Sequence, residues 1–146
     1  MADPQTRFED LMSKLRERQC RMTPQRVALL RLLASGTDHP SASHLYDQLK
    51  TQFPTTSLAT VYKTLSLLDD MGEVLELGFS HGVVRYDANK PYPHPHLVCI
   101  RCHKIVDCEC RTAACLAEQA AKQLGFQVVS YRLDFYGLCA DCQNTG

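Results

Sequence analysis

Two Cys-x2-Cys pairs, Cys99 with Cys102 and Cys139 with Cys142, constrain this chain more than any other feature. A tetrahedral zinc ion takes four deprotonated donors, with zinc–sulfur bonds of about 2.3 Å. Each pair makes a knuckle that offers two sulfurs, so two knuckles complete the shell. The 36 residues between Cys102 and Cys139 leave room for a helix and a strand, and they must return the second knuckle to the first. With all four thiolates used, no coordination position stays open, so the role of the metal is structural. Four ordinary buried thiols and two disulfides are the alternatives. No signal-peptide pattern opens the sequence, which sets the expectation of a cytoplasmic, reducing setting and disfavours disulfides.

Of the 146 residues, 45% are hydrophobic and 22% charged, enough for one folded domain or two small ones and too apolar for disorder. No apolar run approaches the roughly 18 residues of a membrane span. The formal net charge is zero, so nothing global draws the chain to nucleic acid. Locally, residues 16–31 carry Arg16, Arg18, Arg21, Arg26 and Arg31 against Glu17, a net of +4. Such a stripe contacts phosphates or simply solvates a helix face.

The first half reads as helices closed by a hairpin, in an α+β chain. Phe8, Leu11, Met12 and Leu15 repeat at helical spacing over residues 5–18. Thr23-Pro24 starts a second helix bearing Val27, Leu30 and Leu33, with Gly36 past its end. Ser41 caps a third, with Leu45, Leu49 and Phe53. Ser57 caps a fourth that stops at Gly72 and carries an apolar stripe of Leu58, Val61, Leu65 and Leu68. Residues 74–86 then alternate as two strands around a turn at Ser80-His81-Gly82. This is the plan of a winged helix whose fourth helix enters the major groove of DNA. Tyr62 and Lys63 are the expected base or phosphate contacts, Ser57 and Thr60 phosphate contacts.

Ala88–Pro93 holds two prolines and reads as a linker, dividing a DNA-binding domain at 1–87 from a second domain at 94–146. The second half predicts a strand over 96–100, a turn into Ile105-Val106, a helix from Thr112 to Leu124 and a strand over 126–136. This small α/β domain has apolar residues to spare, which suits a dimer interface.

His94 and His96 flank Pro95, so in an extended segment both rings point to one side. Two histidines are not a site. His39, Asp87 and Asp107 are candidates to complete one, and spacing alone does not choose them. The chain resembles the ferric uptake regulator (Fur) family. The matching segments, in order, are Arg21-Met-Thr-Pro-Gln-Arg26, His39-Pro40, Ser57-Leu-Ala-Thr-Val-Tyr62, Arg85-Tyr-Asp87, His94 through Cys102, Lys104-Ile-Val-Asp107 and Tyr136 through Cys142. The resemblance implies a winged-helix domain, a dimerisation domain and a transcriptional repressor that binds operator DNA as a metal-loaded homodimer. Arg21 and Arg26 resemble the family's backbone- or minor-groove-contacting arginines.

Within the family the sequence is most similar to peroxide-responsive repressors. That likeness implies a regulatory Fe²⁺ or Mn²⁺ held by His39, Asp87, His94, His96 and Asp107. It also implies that peroxide oxidises His39 or His94 when iron is bound. Iron sensors usually carry glutamate where this chain has Asp87 or Asp107, and zinc sensors commonly add a cysteine to the histidine segment. The additional metal site of many iron sensors looks broken, its positions held by Pro93, Pro95, Ala114 and Tyr131. An iron- or manganese-responsive repressor without peroxide chemistry is the alternative. A zinc hydrolase is the reading from another class, and it lacks an evident general base, so no enzyme is expected. Cys20, Cys108, Cys110 and Cys115 remain outside the zinc set. They are read as half-buried residues of no regulatory consequence, against a thiol redox response.

Overall fold

The computed structural model describes residues 3–78 and 82–145. The chain forms two compact units, residues 1–91 and residues 92–146. The first begins with four helices: α1 (Pro4–Glu17), α2 (Pro24–Ser35), α3 (Ala42–Gln52) and α4 (Leu58–Asp70). Asp3, Thr23, Ser41 and Ser57 each accept a hydrogen bond from the backbone N–H three residues on. Each such cap satisfies a donor that the helix cannot, worth about 1 kcal/mol. After α4, Gly72 takes φ +70, a conformation strained for other residues, and lets the Glu73 N–H reach the Leu68 carbonyl at 2.8 Å.

The helices enclose one core of Phe8, Leu11, Leu15, Leu30, Leu45, Leu49, Val61, Leu65 and Leu68. Two expectations for helix faces need correcting. Leu58, assigned to the apolar stripe of α4, is exposed, because its position in the first turn lies beyond the packed face. Thr64 is fully buried in its place, its hydroxyl donating to the Thr60 carbonyl at 3.2 Å. In α2 it is Leu29 and Ala34 that join Leu30 and Leu33 inside, while Val27 is half-buried.

An antiparallel hairpin of β1 (Leu75–Gly78) and β2 (Val84–Asp87) completes the winged helix. Of its expected turn, Ser80 and His81 lie outside the described residues, as does Phe79. Arg7 of α1 is buried and ties the unit's ends together. Its guanidinium donates to the Ala88 carbonyl at 2.7 Å and the Glu73 carbonyl at 2.9 Å, and pairs with Asp10 and Glu73 carboxylates. Each nitrogen of the fork thereby finds an acceptor.

The second unit has β3 (His96–Cys99), β4 (Ile105–Asp107), α5 (Arg111–Leu124), β5 (Asp134–Gly137) and a one-turn α6 (Ala140–Gln143). β3 is the central strand, antiparallel to β4 and parallel to β5. The strand expected over 126–136 shortens to Asp134–Gly137. β3 offers only four partners, since Pro95 lacks an N–H and Cys99 turns into the first knuckle. α5 ends at Gly125, whose φ of +69 closes the helix by the αL route.

Candidate metal centres and nucleic-acid face

The four cysteines of the two knuckles converge. One sulfur from each of Cys99, Cys102, Cys139 and Cys142 lies within 4.8 Å of the others. The Cys102–Cys139 separation is 3.7 Å. A tetrahedron of 2.3 Å bonds sets its sulfurs roughly 3.8 Å apart, whereas a disulfide needs about 2.05 Å. The first knuckle is closed by hydrogen bonds from the Cys99 N–H to the Lys104 carbonyl and from the His103 N–H to the Cys99 carbonyl, both 2.9 Å. Backbone N–H groups of Cys102 and Cys139 hold the Cys99 thiol down to about 5. Cys142, hydrogen-bonded to the Cys139 sulfur and buried, is pushed up to about 12. The Cys99 thiolate therefore forms readily, whereas Cys142 resists ionisation unless a cation lies beside it. Such a set of sulfurs could hold a metal ion.

In the first unit, His39 and Asp87 meet. His39 lies on the α2–α3 loop, which β2 clamps. The Arg85 side chain donates to the His39 carbonyl, and the Tyr86 N–H donates to the Pro40 carbonyl at 2.9 Å. Asp87 ends β2 with its Oδ1 accepting from the N–H groups of Asn89 and Lys90, at 2.9 and 3.0 Å. This turn fixes the carboxylate so that Oδ2 stands 3.2 Å from His39 Nε2. Both side chains are buried.

In the second unit, His94, His96 and Asp107 meet. The extended segment puts both rings on one side as expected, with centroids 4.4 Å apart. The sheet register sets Asp107 opposite His96. Asp107 Oδ1 lies 3.1 Å from His94 Nε2 and 3.6 Å from His96 Nε2. His94 Nδ1 is turned to the Tyr92 carbonyl at 2.7 Å, so its Nε2 is the nitrogen aimed inward. A divalent cation would take these same three donors, and each unit supplies a partial set with no thiol in it.

The DNA candidates lie on the first unit. Tyr62 and Lys63 project from α4 into solvent. Ser57 is exposed, but its hydroxyl already caps α4, accepting from the Thr60 N–H at 3.3 Å and meeting the Thr60 hydroxyl at 3.1 Å. Arg21 is exposed. Arg26 is turned inward, donating to the Arg21 carbonyl at 2.6 Å and to Thr64 Oγ1 at 3.4 Å. Arg31 stacks over Phe8, 4.1 Å from the ring centroid. The basic stripe thus divides, with Arg16, Arg18 and Arg21 exposed, Arg31 exposed but lying over Phe8, and Arg26 half-buried and engaged by the fold.

The other face of the second unit's sheet is apolar and open. Val106, Leu97 and Phe135 form a row in register across β4, β3 and β5, each about half exposed. Leu116, Leu124, Phe126 and Val129 are exposed as well. Patches of this kind mark association surfaces.

The profile of the Ferric uptake regulator family matches residues 17–136. The chain is 37% identical over 137 residues to the peroxide-responsive repressor PerR of Staphylococcus aureus (strain USA300), covering 94% of this chain and 92% of that protein. The structure is similar to that of PerR from Streptococcus pyogenes, at 37% identity and a TM-score of 0.54 over 93% of this chain and 92% of the other. It is also similar to a zinc uptake regulator complexed with zinc and DNA, at 25% identity and a TM-score of 0.72 over 99% and 98%.

Proposed function

Since the chain belongs to the ferric uptake regulator family, we propose that it is a metal-dependent transcriptional repressor that senses hydrogen peroxide and binds operator DNA as a homodimer. The observation that carries this reading is the donor set. The first unit offers one imidazole and one carboxylate, His39 and Asp87, held in place by backbone hydrogen bonds. The second offers His94, His96 and Asp107. Three imidazoles and two carboxylates suit Fe²⁺ or Mn²⁺, borderline-hard ions. Zinc would bind the same donors, so selection between metals rests partly on supply. The separate thiolate set keeps a structural Zn²⁺.

In this proposal both units contribute ligands to one regulatory metal, so its binding favours one arrangement of DNA-binding and dimerisation domains. The apolar row of Val106, Leu97 and Phe135 belongs to the homodimer interface. Arg21, Arg26, Ser57, Thr60, Tyr62 and Lys63 form the DNA face, Arg26 by holding the loop before α2 and Ser57 by capping α4. No described helix is long and apolar enough to cross a membrane, and a repressor of this kind works in the cytoplasm.

His39, Asp87, His94, His96 and Asp107 would hold Fe²⁺, which would supply the reducing chemistry that activates hydrogen peroxide, and the rings of His39 and His94 would be the groups oxidised. The names of the relatives support peroxide sensing. Two measurements test the reading together: an operator gel shift with Fe²⁺ or Mn²⁺, and mass spectrometry of the iron-loaded protein after peroxide. Metal-dependent binding with one added oxygen on the His39 or His94 peptide is expected. Metal-dependent binding without that oxygen leaves an iron- or manganese-responsive repressor. Binding indifferent to metal overturns the proposal.

A further inference from the structure

Asp134 carries no motif in the sequence, yet the sheet places it beside a candidate ligand. The parallel register of β3 and β5 sets Asp134 opposite His96, and the antiparallel register of β3 and β4 sets Asp107 opposite the same residue. The three side chains form one row across the sheet, with the histidine in the middle. His96 is almost wholly buried. Its Nε2 is directed at Asp107 Oδ1, 3.6 Å away, and its Nδ1 at Asp134 Oδ1, 3.5 Å away.

Asp134 is itself held. Arg132 Nε donates to its Oδ2 at 2.7 Å. Its Oδ1 is buried and makes no hydrogen bond, and His96 Nδ1 is the nitrogen that faces it. A buried carboxylate oxygen is costly without a donor. The Nδ1–H tautomer of His96 supplies one and leaves the Nε2 lone pair for a metal. The neighbouring His94 repeats the pattern with a different acceptor, its Nδ1 facing the Tyr92 carbonyl at 2.7 Å. Of the two rings, only His96 is backed by a charged group.

We propose that Asp134 is a positioning residue for the regulatory metal: it fixes the Nδ1–H tautomer and orientation of His96 and raises the basicity of Nε2. This rests on the assignment of His96 as a metal ligand. Carboxylates placed behind ligand histidines typically change metal affinity by about 10- to 100-fold.

The test uses the full-length, zinc-replete protein. Mn²⁺ affinity is measured by calorimetry for the wild type, Asp134→Ala, Asp134→Asn and His96→Ala. The His96 tautomer is read from long-range ¹H–¹⁵N spectra without the regulatory metal. Asp134→Ala is expected to bind Mn²⁺ at least tenfold more weakly and to shift His96 towards Nε2–H, with zinc content and circular dichroism unchanged. Asp134→Asn keeps the shape and an acceptor but not the charge, so a smaller loss with Nδ1–H retained is expected. Mn²⁺ affinity within twofold of wild type in the alanine variant, or an unaltered tautomer, overturns the proposal. If the alanine variant does not fold, unchanged affinity in Asp134→Asn overturns it instead. Wild-type affinity in His96→Ala would overturn the ligand assignment first and the role of Asp134 with it.

Discussion

Substituting Cys102 by serine should unfold the second unit while sparing the first. Cys102 is exposed, so the change disturbs little packing and acts mainly through the metal. The buried hydrophobic cluster lies wholly in the first unit. In the second, the large aliphatic side chains buried among the described residues are Val98 and Ile105. Burying a side chain of this size contributes about 1.5–3 kcal/mol, hence roughly 3–6 kcal/mol for the pair. Structural zinc contributes about 10–16 kcal/mol to comparable small domains at neutral pH. A zinc bound by the four thiols would therefore stabilise this unit more than its small core does, and a three-thiol set that cannot close the tetrahedron would forfeit much of that stabilisation. Limited proteolysis read by mass spectrometry should find cleavage throughout 92–146 and a resistant fragment ending near the 88–93 segment. Circular dichroism should fall only in part, because α1–α4 belong to the first unit. A zinc-free Cys102→Ser protein whose second unit resists protease like the wild type would refute this reasoning.

Asp87→Ala removes the acceptor of the Asn89 and Lys90 N–H groups as well as the contact with His39. Chemical denaturation should show a loss of about 2 kcal/mol or more, while Asp87→Asn, which keeps Oδ1, stays closer to wild type. Equal stability of the alanine variant would remove that anchoring role. Lys63→Ala should weaken operator binding and lower the slope of log affinity against log salt by about one, and an unchanged slope would take Lys63 out of the interface. The Cys110 thiol lies below its ordinary range because the Ala113 backbone N–H sits beside it at the start of α5. Its alkylation by iodoacetamide should reach half-maximal rate at a lower pH than free cysteine, near 8.5; a midpoint at or above that value contradicts the effect.

What was legible in the sequence was local chemistry. Thr23, Ser41 and Ser57 announced their helices because a capping hydroxyl needs only the next turn's N–H groups. The convergence of the four thiols was legible because two knuckles with fixed internal spacing imply one another. The rest depended on partners far away in the chain. Arg7 reads as a surface arginine until Glu73 and Ala88 are beside it. Arg26 reads as a free surface arginine until Thr64 and the Arg21 carbonyl take up two of its N–H groups. Apolar periodicity chose Leu58 over Thr64 because it registers hydrophobicity and not the carbonyl four residues back that satisfies a buried hydroxyl. Residues 126–133 have strand composition, but pairing is decided by the length of the neighbouring strand. Asp134 was hidden for the same reason, since register is a property of three strands and not of one.

That register also links the two metal centres. His96 begins β3 and Cys99 ends it, about 10 Å apart at ordinary strand rise. On the neighbouring strand Asp134 begins β5, and Cys139 follows two residues after its end. Cys99 and Cys139 are joined by a hydrogen bond from the Cys139 N–H to the Cys99 sulfur at 3.4 Å. Closing the thiolate set therefore pins β3 and β5 at the end away from the histidine. A parallel pair of only four residues has little else to hold its alignment, and a one-residue slip would turn Asp134 to the opposite face of the sheet. On the proposed assignments the structural centre precedes the regulatory one: zinc would set the register that brings Asp134 to His96 Nδ1 and leaves His96 Nε2 facing Asp107. The dependence runs one way, because the four sulfurs need neither histidine to converge.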